Sequence, residues 1–121
     1  MINWGMYMKR IDLIISHEHF LEVDELLRKY NVDGMTFYSV RGRGRSKQEE
    51  VSSRNEIVRS VPEFVTGTKI EVIVEDSIAK TLIEDICDIL SNSSFPFGKI
   101  FVSDVAETYT INLGETGSAT K

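Results

Sequence analysis

Twice in this chain an isoleucine-rich strand run leads into a segment with helical spacing and then into a further strand-like run, and this order limits the fold sharply. Arg10–Ile15 (RIDLII) alternates as a half-buried strand does. Ser16 is placed to cap a following helix, in which Val23, Leu26, Leu27 and Tyr30 recur opposite Glu22, Glu25, Arg28 and Lys29. That helix is expected to end near Asn31, and the Asp33-Gly34 turn leads to a second strand, Met35–Val40 (MTFYSV). The second unit opens with Lys69–Glu75 (KIEVIVE), with Ser77 placed as a cap. Ile78, Ala79, Leu82, Ile83, Ile86, Ile89 and Leu90 then form a broad apolar face. After the break at 91–94, Lys99–Val105 reads as a fourth strand and Glu107–Leu113 as a terminal one. Two such units merge into one sheet with both helices on one side, an α+β ferredoxin-like βαββαβ sandwich with an added C-terminal strand. The other sheet face is left bare although its strands carry apolar residues on both sides, so the sequence predicts an oligomer.

At 121 residues the chain has room for one domain. Nineteen acidic against fourteen basic residues give a net charge of −5, which disfavours nucleic acid or an anionic membrane as a partner. No apolar run approaches the roughly 20 residues of a membrane-spanning helix. A single cysteine, Cys87, excludes an internal disulfide and reads as a buried small hydrophobe, which suits a cytoplasmic site. Residues 1–7 read as a flexible N-terminal extension, 8–115 as the domain and 116–121 as a mobile tail.

Between Arg41 and Thr66 the apolar periodicity fails. So long a connection in a compact domain is expected to be a working loop. Its start, Arg41-Gly-Arg-Gly-Arg45 with Lys47, is the densest basic cluster: glycine admits an anion to the backbone, and arginine offers forked donors. A solvated loop base is the plainer reading of the same residues. Gly98-Lys99, entering the fourth strand, is a weaker anion motif that also reads as a simple turn. His17 and His19 point to different sides of any helix and share no metal, and no nucleophile or acid–base pair can be nominated. The residues alone give no catalytic signature.

Taken together, MKRIDLII, DGMTFYSVRGRGR, TKIEVIVED, IAKTLIEDICDIL and GKIFVSDVAETYTINLGE resemble the PII signal-transduction family over nearly everything from Met8 to Glu115. The resemblance implies a homotrimer of ferredoxin-like subunits that binds ATP or ADP, with AMP a further candidate, in clefts between subunits. It also implies a long T-loop, here about 42–66, that controls a target membrane transporter or enzyme, and it implies a regulator rather than an enzyme. By position, Thr36 resembles the threonine on the adenosine side, Gly44 and Arg45 the start of the T-loop, and Glu71 and Ile73 the strand that meets adenine. Gly98 and Lys99 resemble the end of the phosphate-binding B-loop, and Arg41, Arg43 and Lys47 are further anion candidates. Glu49, Glu50, Ser52, Arg54, Ile57 and Arg59 would face the partner. No cofactor is obligatory on this reading, and a magnesium requirement stays open.

The departures from the family pattern are specific. Pro96 stands where a B-loop glycine would offer its N–H, Thr110 and Asn112 where two arginines would reach the phosphates, and Gly67 where a lysine is usual. Without a given charge-assisted hydrogen bond, phosphate binding is weaker by about 1.5–3 kcal/mol. The loop also has no tyrosine to modify. These features keep two alternatives in view: a trimeric interaction protein without nucleotide response, and a sensor of another small anion held at Arg43, Arg45 and Lys99.

Overall fold

The computed structural model describes residues 7–44, 64–95 and 98–111. β1 (Met8–Ile15) runs through a short 3₁₀ turn (His17–His19) into α1 (Phe20–Lys29). β2 (Thr36–Gly42) and β3 (Val65–Glu75) follow, then α2 (Asp76–Ile89) and β4 (Lys99–Val105). The sheet order is β2-β3-β1-β4, antiparallel at every described pairing. Each β-α-β unit thus has a strand of the other unit between its own two, as the ferredoxin-like reading requires.

Alternation decides the layering. Ile11, Leu13 and Ile15 of β1 and Ile70, Val72 and Val74 of β3 point to the helical side and are at most 3% exposed. Val23 and Leu27 of α1 and Ala79, Leu82 and Ile86 of α2 close on them in one core. The opposite sheet face carries Arg10, Asp12, Ile14, Tyr38, Lys69, Glu71, Ile73 and Phe101, and no described helix covers it. Phe101 is 52% exposed there and Ile73 40%.

Several local expectations need correction. The strands run further into the long connection than their patterns suggested: β2 continues through Arg41 and Gly42, and β3 starts at Val65 rather than Lys69. Cross-strand pairing of Arg41 with Thr66 and Gly42 with Val65 extends the ladder where side-chain pattern gives no signal. The connection is therefore shorter than 42–66. α2 begins at Asp76, with Glu75 rather than Ser77 in the cap position and no side-chain cap bond. Ser16 likewise makes no cap bond, because it precedes a 3₁₀ turn instead of the α-helix itself. Asn31 does end α1, in the left-handed region at φ 60°, a conformation asparagine tolerates better than most residues.

Cys87 is exposed, not buried. The buried stripe of α2 is Ala79, Leu82 and Ile86, and one residue further turns the side chain about 100° away from it. Over the described part of the expected fifth strand, 107–111, no strand forms. Tyr109 and Ile111 are 70% and 81% exposed, and this segment has no neighbouring strand among the described residues to complete its hydrogen bonds. Of residues 1–7 only Tyr7 is described, and its carbonyl accepts from the Asp76 N–H at 2.8 Å. The tail 116–121 lies outside the described residues.

Candidate functional site

Alternation and register assemble a polar cluster on the bare sheet face. Tyr38 of β2 lies opposite Lys69, Glu71 lies opposite Thr36 on one side and Asp12 on the other, and Arg10 lies opposite Ile73. The Tyr38 hydroxyl donates to Glu71 Oε2 at 2.6 Å. Arg10 Nη2 and Lys69 Nζ approach that oxygen at 3.5 and 3.7 Å, while Arg10 Nε donates to Asp12 Oδ1 at 2.9 Å. The Glu71 acceptor, with a smaller contribution from desolvation, raises the Tyr38 pKa above its ordinary value. The bond to Asp12 raises that of Arg10. One hydrogen bond and two flanking cations hold the Glu71 carboxylate in place.

Thr36, Glu71 and Ile73 line one cavity of about 950 Å³, walled by the turn from Tyr30 to Met35 and by the ends of β1 and β3. At the far edge of the sheet, Gly98 and Lys99 line a second cavity of about 260 Å³, together with Ile14, Ser16, Ser93 and Phe95. Lys99 forms no ion pair with another described residue. Three strand spacings and a two-residue register offset put Thr36 and Lys99 about 16 Å apart in the sheet. A single chain therefore does not bring the expected site residues together.

The other candidates divide similarly. Arg41 is exposed one residue before the end of β2, Arg43 is exposed, and Gly44 follows just past the strand. Arg45, Lys47, Glu49, Glu50, Ser52, Arg54, Ile57 and Arg59 lie outside the described residues, as do Pro96 and Asn112. Thr110 is exposed in the irregular segment after β4.

Phe95, which the sequence did not single out, lines the second cavity. Phe95 lies against two glycines: a Cβ on Gly67 would sit 2.7 Å from its Cζ and 2.7 Å from the Ile15 carbonyl oxygen, and a Cβ on Gly98 would sit 3.8 Å from its Cδ2. Gly67 is thus required by close approach. His17 Nδ1 meets the hydroxyl of buried Thr68 at 2.6 Å, and His19 turns the other way to Glu22 at 2.9 Å. Period-2 spacing already put Arg10 with Asp12, and Lys69 with Glu71, on common faces. What was missing was the register that joins the two pairs.

The match to known proteins agrees with this geometry. The family model described as "Nitrogen regulatory protein P-II" covers residues 8–115. The chain belongs to the nitrogen regulatory protein P-II family. It is 36% identical to "Nitrogen regulatory protein P-II" of Rhizobium meliloti over 110 residues, 91% of this chain and 96% of that one. It is 37% identical to "Nitrogen regulatory protein P-II 2" of Methanothermobacter thermautotrophicus over 112 residues, 93% and 96% of the two chains. Among solved structures, B. subtilis GlnK superposes with a TM-score of 0.70 at 27% identity, covering 90% of this chain and 94% of that one. The GlnK–ATP complex superposes with a TM-score of 0.70 as well. As a P-II protein the chain is a signal-transduction regulator, and its described helices include none long and apolar enough to cross a membrane.

Proposed function

We propose that this P-II protein is a homotrimeric sensor that binds an adenine nucleotide between subunits and thereby controls a partner protein, a transporter or metabolic enzyme, through the connection between β2 and β3. The observation that carries this reading is the division of the candidate site. Thr36, Glu71 and Ile73 line one cavity, Gly98 and Lys99 another, on opposite sheet edges. Placing the first edge of one copy against the second edge of the next completes a cleft with an apolar, acceptor-bearing end and a cationic end. That pairing suits a nucleoside phosphate: the Glu71 carboxylate and the Thr36 hydroxyl address base or ribose, and Lys99 with Arg41 and Arg43 addresses phosphate. The same association covers Phe101 and Ile73 on the bare sheet face. The B. subtilis GlnK–ATP complex is the solved precedent for a nucleotide on this fold.

Isothermal titration of the full chain with ATP, ADP and AMP, each with and without magnesium, tests the ligand, and sedimentation tests the trimer. Binding with micromolar affinity to a trimer is expected, weakened about tenfold or more by K99A, which removes one charge-assisted hydrogen bond. No heat and no thermal shift with any of the three removes the sensing half. A second reading, partner capture indifferent to nucleotide, is favoured by the Gly98 N–H, which is already donated to the Phe95 carbonyl at 3.3 Å. Capture of the partner that does not change when ADP is added would establish it. Displacement of nucleotide by bicarbonate or a dicarboxylate would instead point to another anion as effector.

A further inference from the structure

We propose that Tyr38 is a positioning residue: through Glu71 it gives this chain a preference for ribonucleotides over deoxyribonucleotides, an inference that rests on the nucleotide reading above. Of the described groups around Glu71, the Tyr38 hydroxyl is the one that holds it by a hydrogen bond, donated to Oε2 at 2.6 Å. Arg10 Nη2 and Lys69 Nζ stand 3.5 and 3.7 Å from the same oxygen, distances that attract a carboxylate without orienting it. Tyr38 reaches Glu71 from β2 and Arg10 reaches it from β1, on opposite sides of β3. Without the hydroxyl the carboxylate would be held from β1 and β3 alone and would turn toward them. Tyr38 stands on a firm base, because its neighbour Phe37 packs on Phe20 with ring centroids 4.7 Å apart and so ties the edge strand β2 to α1.

Glu71 lines the cavity of about 950 Å³ together with Thr36, directly opposite it on β2, and Ile73, two residues further along β3. Tyr38 lines a different cavity, beside His17 and Phe20, and addresses the first one through Glu71. The Glu71 side chain is 25% exposed, so it is open to a ligand yet not free in water. A carboxylate accepts hydrogen bonds and donates none, so the ligand groups that suit it are donors. Ribose presents two of them on adjacent carbons, and an acidic side chain on a ribose hydroxyl is a recurrent solution in nucleotide-binding folds. The Thr36 hydroxyl, which both donates and accepts, stands beside it for the neighbouring hydroxyl, while Ile73 and Met35 offer apolar surface to the base. A deoxynucleotide leaves the held carboxylate without its partner in the cleft.

The test takes whichever of ATP, ADP and AMP binds most tightly and compares its dissociation constant with those of its 2′-deoxy and 3′-deoxy forms, by titration calorimetry on the full chain at fixed magnesium. Wild-type protein should prefer the ribonucleotide by about tenfold or more over at least one of the two, the worth of one charge-assisted hydrogen bond. In Y38F that preference should fall to about threefold or less, as Glu71 turns away from the ribose. In an E71Q background Y38F should change the ratio no further, because the tyrosine acts through the carboxylate. Y38F deletes one hydroxyl from a residue that is 43% exposed, so the fold is kept. A merely structural Tyr38 would lower the unfolding midpoint and leave the ratio unmoved. Wild-type protein that binds all three forms within about threefold, an unchanged ratio in Y38F, or an effect of Y38F as large in the E71Q background overturns the proposal while leaving the nucleotide reading intact. Failure of ATP, ADP and AMP alike to bind overturns both.

Discussion

Gly34 and Gly67 show how differently the structure treats two glycines. A Cβ on Gly34 meets nothing within 4 Å, so G34A should be neutral or raise stability by up to about 1 kcal/mol through the unfolded chain. A Cβ on Gly67 collides with backbone as well as with a ring, so G67A should cost about 1–3 kcal/mol, both read from urea midpoints. Sequence comparison marked Gly67 as a missing lysine; only the packing gives the reason a side chain is excluded there. Tyr38 is a second such residue. Its pKa is raised in the folded protein, chiefly by the bond to Glu71, so its contribution to stability is whole below the ordinary tyrosine pKa of 10.0 and disappears as pH rises through the higher folded value. The stability difference between wild type and Y38F should accordingly be present near about pH 8 and shrink above about pH 10. A difference that stays constant across that range would mean that the bond to Glu71 does not carry it.

At the scale of elements, the clearest signals were those with a single buried face. β4 has the limits its residues predicted, and the buried stripe of α2 falls within the apolar face read from its spacing. L82A, which empties a position with no exposure on that stripe, should cost about 2–5 kcal/mol in equilibrium unfolding, whereas C87S one residue past Ile86 should cost little. Less legible were elements that exist because of their partners. Val65–Lys69 (VTGTK) has no apolar alternation, yet it is strand because β2 supplies its ladder. The converse holds for Glu107–Ile111, whose alternation reads as strand but which pairs with no described strand. Tyr30 illustrates a link between elements that no local pattern contains: its hydroxyl donates to Asp85 of α2, tying the end of α1 to the neighbouring helix, and that bond raises its pKa.

For the whole molecule, the bare sheet face is the feature with most consequence. Phe101 is half exposed on it, opposite Asp12, so F101D should leave a lone subunit folded but break an assembly that buries this face. Sedimentation of F101D as a folded monomer, with nucleotide binding abolished at the same time, would link the cleft to association; binding retained by a monomer would separate them. The amino-acid sequence by itself determined the βαββαβ order, the two helices on one face, the family and the bareness of the other face, because periodicity and turn chemistry are local and each residue carries its own share of them. Only the tertiary structure decided that Glu71 is held by Tyr38, Arg10 and Lys69, that Phe95 occupies the space above Gly67, and that Thr36 and Lys99 lie on opposite edges. Those facts depend on strand register and on side chains distant in sequence meeting in space, and a one-residue shift in register would have undone each of them.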